Sequence, residues 1–316
     1  MVSAGVTPQC GSILLRLTGL EFLWSVLWAE APWPHSPCGF RSSDKGSGLL
    51  VTGIDIGSRA IKLIVLDAGH DRIVASRKVE TTFNPLEQSR RILASVKGDR
   101  LVATGYGRKL AQENFRAETI TEIQAHALGA RNLFPDCASV LDIGGQDTKA
   151  IALDDRGRVR KFEMNDRCAA GTGKFLEFMA TSFQLSIENF GNFALQGEPG
   201  LTINSMCTVF AETEATSLMA RGHRPQDIAL ALHLSVVKRS LSMLRRVSTN
   251  GTLVFSGGVA RNRCVVKLIE KEIGSSLLIP QDPDMVGALG AALHGIKTRF
   301  GEPFCKKIPQ TLPRNS

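Results

Sequence analysis

Two stretches of this sequence, GIDIGSRAIKLIVLD at residues 53–67 and LDIGGQDTKAIALD at residues 141–154, share one pattern. Each contains Asp-Ile-Gly, a Lys seven residues after the Asp, and a final Leu-Asp pair. The two Asp, the two Lys and the two final Asp residues are each 87 residues apart, so no insertion separates the copies. We interpret the two stretches as a duplicated structural unit.

Each copy predicts a three-stranded antiparallel meander. Asp-Ile-Gly ends an apolar run, and two strand-like runs follow, AIKLIVLD and RIVASRKVE in one copy, TKAIALD and RVRKFEMND in the other. The glycines let backbone N–H groups approach an anion closely, since no Cβ blocks the approach. A nearby carboxylate suits Mg²⁺ held through water beside phosphate. One copy alone would equally suit an Asp that only satisfies turn amides, but two copies favour phosphate binding.

A third glycine cluster, LVFSGGVARN at residues 253–262, follows another strand-like run and precedes a helical pattern. A helix N-terminus there would lie near a third anion or sugar contact. The order of the three loops resembles the actin, sugar kinase and Hsp70 superfamily. This resemblance implies an α/β fold with duplicated actin-like ATPase (ribonuclease H-like) domains that close on a nucleotide. Two Ala- and Gly-rich helical stretches, residues 121–130 and 286–295, have the composition for close packing in the hinge.

The composition is that of a globular protein with room for two domains: 316 residues, 43% hydrophobic, 22% charged, with a net charge of +8. The positive charge suits a polyanionic ligand. The sequence has no dense Lys/Arg block of the kind that indicates nucleic acid, so a nucleotide is favoured. Seven Cys without a C-x-x-C pair indicate a reducing compartment. We expect a cytoplasmic protein with no nucleic-acid or membrane partner.

The first 49 residues differ in composition from the rest and contain all three Trp. Their apolar run lacks the basic start of a signal peptide, and the polar and glycine residues that interrupt it disfavour a membrane helix. We expect residues 1–49 to be an extension outside the core, and the hypothesis is that the initiator lies at or near Val51. The expected domains are residues 50–130 and residues 131–300, followed by a tail at residues 301–316.

In MNDRCAAGTGKFLEFMA, Cys168 precedes an Ala/Gly turn and an amphipathic helical pattern, and in NSMCTVFAETEATSLMA, Cys207 directly precedes a helical pattern. We expect both at helix N-termini, where the macrodipole and free N–H groups favour a thiolate and an anionic ligand. Two such cysteines are half of a Cys₄ set, which a two-fold dimer would complete around a [4Fe–4S] cluster. From spacing alone, two buried structural cysteines are the favoured alternative.

The surrounding motifs reverse that preference. NDRCAAGTGKF, SMCTVFAETE, ATGYGR, LDIGGQDTK and SGGVARN together resemble the BadF/BadG/BcrA/BcrD ATPase family, specifically its activators of (R)-2-hydroxyacyl-CoA dehydratases, from about residue 51 to residue 295. The resemblance implies a homodimeric iron–sulfur ATPase that takes an electron from a ferredoxin or flavodoxin. Driven by ATP binding and hydrolysis, such a protein injects the electron into a partner acyl-CoA dehydratase.

The resemblance also assigns residues. Cys168 and Cys207 match the cluster ligands. The nucleotide-binding loops of the family correspond to Asp55, Gly57, Ser58, Asp142, Gly144, Gly145, Gln146, Gly257 and Gly258. We take Asp55, Asp142 and Gln146 as the catalytic residues beside ATP and Mg²⁺. Gln146 is a candidate for orienting the attacking water, and a structural turn role for it is equally open.

Several residues stay open. Arg59 stands where the family often has Thr, and it either pairs with a phosphate or points to solvent. Lys62 and Lys149 either reach phosphate or are solvated edge lysines. His126 is interpreted as a packed or capped histidine. The helix over residues 225–248 has a basic face that is a candidate docking surface for an acidic ferredoxin.

The remaining cysteines are expected to be thiols without a functional role. Cys137, Cys264 and Cys305 are expected to be interior or surface residues, and Cys10 and Cys38 lie in the extension.

Two other functions fit the same loops. One is the ATPase subunit of a benzoyl-CoA reductase-type complex, which works in a permanent assembly. The other is a small-molecule kinase of the same fold, which needs an acceptor pocket with a catalytic base and no iron–sulfur cluster.

Overall fold

The computed structural model describes residues 48–203, 207–248 and 251–300 of the chain. The first part runs β1 (Leu50–Ile56), β2 (Ala60–Asp67), β3 (Arg72–Glu80), α1 (Pro85–Ala94), β4 (Arg100–Thr104), α2 (Arg108–Phe115), β5 (Glu118–Thr119), α3 (Glu122–Leu133). The second part runs β6 (Cys137–Ile143), β7 (Thr148–Leu153), β8 (Val159–Asn165), α4 (Gly173–Ser182), α5 (Ile187–Ala194), α6 (Thr208–Ala220), α7 (Pro225–Val247), β9 (Thr252–Ser256), α8 (Arg263–Ile273), α9 (Val286–Phe300). The expectations for residues 1–47, including Cys10 and Cys38, and for Cys305 in the tail lie outside the described residues.

The described strands form two sheets with the same plan. Their strand orders are β3-β2-β1-β4-β5 and β8-β7-β6-β9. In each sheet an antiparallel meander is extended by a parallel strand, β4 beside β1 and β9 beside β6. The first sheet continues with a second parallel strand, β5 beside β4. Both predicted meanders are confirmed, and the duplicated α/β architecture is confirmed with them.

The register of the two hairpins explains the seven-residue spacing between Asp and Lys. Asp55 of β1 pairs with Lys62 of β2, and Asp142 of β6 pairs with Lys149 of β7. Residues directly opposite each other in an antiparallel pair point to the same face, with their Cβ atoms about 5 Å apart. Each hairpin therefore places a carboxylate beside an ammonium group, and the sequence repeat encodes that pair.

A central apolar cluster joins the two sheets. It contains Val51 and Ile64 from the first sheet, Val140 and Ile151 from the second, and residues of α3 and α9. Because helices cover the sheets, strands such as β2 are apolar on both faces. Within the described ranges, no helix combines the length and the apolar character needed to cross a membrane.

Helices α3 and α9 are in close contact because small residues face each other. A Cβ added to Gly290 of α9 would overlap the carbonyl oxygen of Ala125 in α3. A Cβ on Gly129 of α3 would overlap the carbonyl oxygen of Val286 in the same way. The predicted close packing of the two Ala- and Gly-rich helices is confirmed, and it brings their ends to the site described next.

Candidate functional site

A cavity of about 390 Å³ is lined by the Asp-Ile-Gly turns of both hairpins. The lining includes the following predicted nucleotide-contacting residues: Asp55, Gly57, Ser58, Asp142, Gly144, Gly145, Gly257 and Gly258. Gln146 is exposed. It lies in the loop between Gly145 and Asp147, which line the cavity, but it is not itself part of the lining.

The loops after the two parallel strands are also duplicated, a feature that the hairpin repeat alone does not predict. Gly105 after β4 and Gly257 after β9 have φ values of +87° and +84°, a region that favours glycine. A Cβ on Gly105 would lie 2.6 Å from the carbonyl oxygen of Ile56, and one on Gly257 would overlap that of Ile143. Each glycine thus lets its loop cross over the Ile of Asp-Ile-Gly.

A hydroxyl residue precedes each of these glycines and lies beside an aspartate. Ser256 pairs with Asp142 in the register and donates to its Oδ1 at 2.8 Å. Thr104 has the same place beside Asp55, and its buried Oγ1 has no hydrogen-bond partner among the described residues. A buried hydroxyl without a partner costs free energy, although Thr104 itself is not among the residues that line the cavity. The Thr-Gly and Ser-Gly pairs of ATGYGR and FSGGVAR are the sequence signal for both residues.

The two cross-strand pairs differ in burial. Lys62 Nζ lies 3.0 Å from Asp55 Oδ2, and Lys62 is half-buried. Lys149 Nζ lies 3.3 Å from Asp142 Oδ2, and Lys149 is only 3% exposed. The alternative of a solvated edge lysine is therefore wrong for Lys149.

Three carboxylates surround the Lys149 ammonium group. Besides Asp142, they are Asp147, with Oδ2 at 2.5 Å, and Glu122 of α3, with Oε2 at 3.2 Å. Burial alone would lower the pKa of Lys149, but these charges outweigh burial and raise the pKa above its usual range. Burial would likewise raise the pKa of Asp142, but the charges of His126 and Lys149 hold it well below its usual range. Both groups are therefore ionised at neutral pH.

His126 connects the hinge helix α3 to this network. Its Nε2 lies 3.3 Å from Asp142 Oδ1, and its Nδ1 lies 2.9 Å from the Glu122 carbonyl oxygen. The sequence interpretation of a packed histidine is confirmed, because His126 is buried, but the contact with Asp142 was not predicted. Burial alone would lower the pKa of His126, and the Asp142 charge raises it above its ordinary value. Gly287 of α9 leaves space for both side chains, since a Cβ added there would lie 2.9 Å from the His126 ring and 3.1 Å from the Asp55 carboxylate.

Arg59 joins the first hairpin to α4, whose first N–H groups bond to the Gly144–Gly145 turn of the second hairpin. Its Nη2 lies 2.9 Å from Glu177 Oε1, and Lys174 Nζ lies 3.3 Å from the other oxygen of the same carboxylate. The Arg59 side chain runs over Gly145, where a Cβ would collide with it. Neither sequence alternative described this contact, because the carboxylate partner is 118 residues away in the chain.

The cavity carries more negative than positive charge. Among the described residues that line it, eight have carboxylates and five are Lys or Arg. Such a lining would repel nucleotide phosphates unless a divalent cation offset the charge. Asp55 and Asp142 offer the oxygen donors that Mg²⁺ prefers, and Thr104 adds an unpartnered hydroxyl beside one of them. The residues present therefore fit a Mg²⁺–nucleotide complex.

The glycine loop after β9 is fixed by Asn262, which also lines the cavity. Asn262 Oδ1 accepts from the N–H groups of Cys264 and Val265 at 3.0 and 3.1 Å and so caps α8. Its Nδ2 lies 3.1 Å from His233 Nε2, while His233 Nδ1 lies 2.8 Å from the Ala229 carbonyl oxygen. Burial lowers the pKa of His233 to about 4. The neutral ring therefore donates to Ala229 and accepts from Asn262.

The two candidate cluster cysteines are both exposed. Cys207 is the N-cap residue of α6, as predicted. Cys168 is not at a helix start, because the N-cap of α4 is Thr172, four residues later. The predicted Ala/Gly turn is present, closed by a bond from Thr172 N to the Ala169 carbonyl oxygen at 3.0 Å. It separates Cys168 from the helix, so the placement of Cys168 at the helix N-terminus was wrong. Within the described residues, no group of three or more His, Cys, Asp or Glu side chains is arranged to hold a metal ion.

The other two described cysteines have different surroundings. Cys137 and Cys264 are buried, as one of their predicted alternatives required. Burial raises the pKa of the Cys137 thiol to about 11 and that of Cys264 to about 12. Both therefore stay protonated at neutral pH and are unsuited to metal binding. Exposure thus separates Cys168 and Cys207 from the other two cysteines in the described part of the chain.

Comparison with known proteins agrees with this geometry. Residues 52–295 match the BadF/BadG/BcrA/BcrD ATPase family. A 2-hydroxyisocaproyl-CoA dehydratase activator of Clostridioides difficile is 38% identical over 251 residues, which cover 77% of this chain and 93% of the relative. A solved structure of the activator of the 2-hydroxyisocaproyl-CoA dehydratase from Clostridium difficile, with bound ADPNP, has a TM-score of 0.72 at 36% identity. It covers 79% of this chain and 95% of that chain.

A second solved structure is similar to the same extent. Component A of the (R)-2-hydroxyglutaryl-CoA dehydratase of Acidaminococcus fermentans has a TM-score of 0.73 at 36% identity, covering 79% of this chain and 99% of that chain. Identity at this level over nearly the full length of the relatives indicates common descent as well as a common fold. The chain therefore belongs to the BadF/BadG/BcrA/BcrD ATPase family.

Proposed function

We propose that this chain is an ATP-dependent activator, in which ATP binding and hydrolysis drive a low-potential electron from a [4Fe–4S] cluster to a 2-hydroxyacyl-CoA dehydratase. The observation that carries the proposal is the direct connection between the nucleotide-type cavity and an exposed cysteine: α4 begins on the Gly144–Gly145 turn and follows the Cys168 turn. The similarity to named dehydratase activators supports the same conclusion.

The nucleotide would lie between the two duplicated hairpins. Asp55 and Asp142 would hold Mg²⁺, which would offset the phosphate charge, and the backbone around Gly57, Ser58, Gly144 and Gly145 would receive the phosphates. Gly257 and Gly258 form the adenosine side. Lys149 holds Asp142 ionised and in place, since the two groups are 3.3 Å apart and buried. ADP and phosphate are the products of hydrolysis. Gln146 is outside the cavity lining, so it would have to turn inward from its exposed position to orient the attacking water.

Cys168 and Cys207 would hold the cluster together with the same pair from a second subunit. The fit rests on their exposure and on the thiol chemistry of both residues, since each chain supplies half of a Cys₄ set. When bound, the cluster supplies a one-electron carrier of low potential. The protein is accordingly a homodimer in this proposal.

The partners follow from the same proposal. A reduced ferredoxin or flavodoxin supplies the electron, and the exposed Arg245 of α7 is the candidate contact for an acidic donor. The neighbouring Arg246 is paired with Glu163 at 2.6 Å. The dehydratase receives the electron and binds the acyl-CoA. Two lobes, residues 50–130 and residues 131–300, would close on ATP around α3 and α9. We place the protein in the cytoplasm.

The test combines the anaerobically purified chain with a 2-hydroxyacyl-CoA dehydratase component, a reduced donor and ATP. The proposal expects dehydration that requires all of these and that stops when ADPNP replaces ATP. Asp142→Asn should lower ATP hydrolysis by about a hundredfold or more, since it removes a charge that positions the metal. A chain that releases ADP only when a small-molecule acceptor is added would indicate the kinase alternative. A permanent heteromeric complex on purification would indicate the reductase-type alternative.

A further inference from the structure

We infer that Thr148 is a positioning residue that connects two turns, the Cys168 turn (residues 168–172) and the nucleotide-binding turn (residues 144–147). Through this connection, the state of the nucleotide site sets how well ordered the Cys168 turn is. This inference rests on the proposed function, in which Cys168 is a cluster ligand. Thr148 does not line the cavity. It lies directly between Asp147 and Lys149, which do.

The Cys168 turn is held first by Asn165, the last residue of β8. Asn165 Nδ2 donates to the carbonyl oxygens of Cys168 at 2.9 Å and Ala170 at 3.3 Å. Its Oδ1 accepts from the N–H group of Cys168 at 3.3 Å. One side chain therefore satisfies three backbone groups of the turn, which fixes its shape.

Thr148 holds the far side of the same turn. Its Oγ1 donates to the Gly171 carbonyl oxygen at 2.8 Å, and both Thr148 and this bond are buried. Thr148 and Asn165 are directly paired across β7 and β8. The two side chains that hold the turn thus stand next to each other at the open end of the β7–β8 hairpin, where Thr148 directly follows the nucleotide-binding turn.

The start of α4 rests on the nucleotide-binding turn itself. Gly173 N donates to the Gly144 carbonyl oxygen at 2.9 Å, and Lys174 N donates to the Gly145 carbonyl oxygen at 2.7 Å. These are N–H groups of the first helical turn, which lack partners inside the helix. A Cβ on Gly173 would lie 3.0 Å from the Gly144 oxygen, so the approach is close. Carbonyl oxygens of the phosphate-binding turn therefore cap the helix that follows Cys168.

These bonds make a short mechanical connection. The residues from Cys168 to Lys174 are attached to the second Asp-Ile-Gly turn at Gly144, Gly145 and Thr148. A ligand that orders the turn from inside the cavity also orders these attachments. Thr148 is the side chain in this connection that can be changed without altering the cavity lining.

The experiment is hydrogen–deuterium exchange with mass spectrometry on the full chain, purified anaerobically, with and without ADPNP. In the native protein, ADPNP should slow exchange in the peptide covering residues 168–174 by about tenfold, the effect of roughly one stabilised hydrogen bond. In Thr148→Val, the slowing at residues 168–174 should fall below about twofold, whereas residues 55–60 should stay protected because nucleotide still binds. Thr148→Ser retains the hydroxyl and should behave as the native protein.

A merely structural role for Thr148 would raise exchange equally with and without ADPNP, leaving their ratio unchanged, and that result would overturn the inference. Native protein in which ADPNP protects residues 55–60 but not residues 168–174 would overturn it as well. A lack of protection at both segments would reject the nucleotide site and the proposed function with it. An iron-free protein that still shows the coupled protection would reject the electron-transfer proposal and leave the Thr148 connection standing.

Discussion

The Arg59 guanidinium group lies 2.9 Å from the Glu177 carboxylate and so connects the first hairpin to α4. Both side chains are partly exposed, with 49% and 34% of their surface accessible. The pair therefore contributes little to stability, about 0.5–1 kcal/mol at most. Its importance lies in its position, since both residues line the nucleotide cavity.

This pair makes a prediction about nucleotide affinity. Glu177→Gln should tighten ADPNP binding about two- to fivefold, because Arg59 no longer prefers the carboxylate over a phosphate. Arg59→Ala should weaken binding by a similar factor. Isothermal titration calorimetry shows for each variant whether ADPNP binds more tightly or more weakly than to the native protein. If both changes shifted the ADPNP affinity in the same direction and by the same factor, Arg59 would not contact the phosphates.

The buried Lys149 predicts a large loss of stability. Lys149→Met leaves Asp142, Asp147 and Glu122 together without their counter-charge, which should cost about 3–5 kcal/mol. The matched control is Lys62→Met, at the same position of the first copy. It frees only the buried carboxylate of Asp55, beside a Lys that is 18% exposed, and should cost about 2 kcal/mol. Urea unfolding without nucleotide gives the free energy of unfolding of both variants. Equal losses would contradict the described difference in burial between Lys149 and Lys62.

The close contact between α3 and α9 predicts the effect of a single methyl group. Gly290→Ala would drive a Cβ into the backbone carbonyl of Ala125, which cannot move without shifting the helix, and should cost about 2–3 kcal/mol. Gly295→Ala on the same helix is the control, because its Cβ would meet the side-chain methyl groups of Val51 and Val102. It should cost clearly less in thermal unfolding. A tolerated Gly290→Ala would show that the helices are farther apart than described.

His233 predicts a pH dependence of stability. Its pKa in the folded protein is about 4, below its ordinary value of 6.5, so the unfolded chain binds a proton more readily than the folded one. The stability due to neutral His233 is complete above pH 6.5 and is lost as the pH falls toward 4. The native protein should lose up to about 3 kcal/mol more than His233→Gln across this range. If the free energy of unfolding fell equally with pH in the native protein and in His233→Gln, His233 would not be buried in the neutral form.

Much of the fold could be predicted because the hairpins carry their own signal. The Asp-Ile-Gly turn, the Lys seven residues later and the apolar runs are all local, and the register of Asp55 with Lys62 follows from them. The small residues of α3 and α9 likewise predicted close packing. Local patterns of this kind require no knowledge of distant parts of the chain.

The contacts that were not predicted depend on residues far apart in sequence. Glu177 approaches Arg59, and His126 approaches Asp142, only after the two sheets are assembled. The burial of Lys149 had no local signal, since Lys62 has the same local pattern and is less buried. The Ala/Gly turn after Cys168 was predicted, but its length was not, and the helix N-cap is four residues after Cys168, at Thr172.

The measurement that tests the account most directly is the iron and sulfide content of the anaerobically purified chain and of three variants, Cys168→Ser, Cys207→Ser and Cys264→Ser. The account predicts a brown protein with about four iron atoms per two chains, lost in Cys168→Ser and in Cys207→Ser. Cys264→Ser, which changes a buried thiol, should keep its iron. A colourless native protein after anaerobic reconstitution, or iron that persists in Cys168→Ser, would contradict the account.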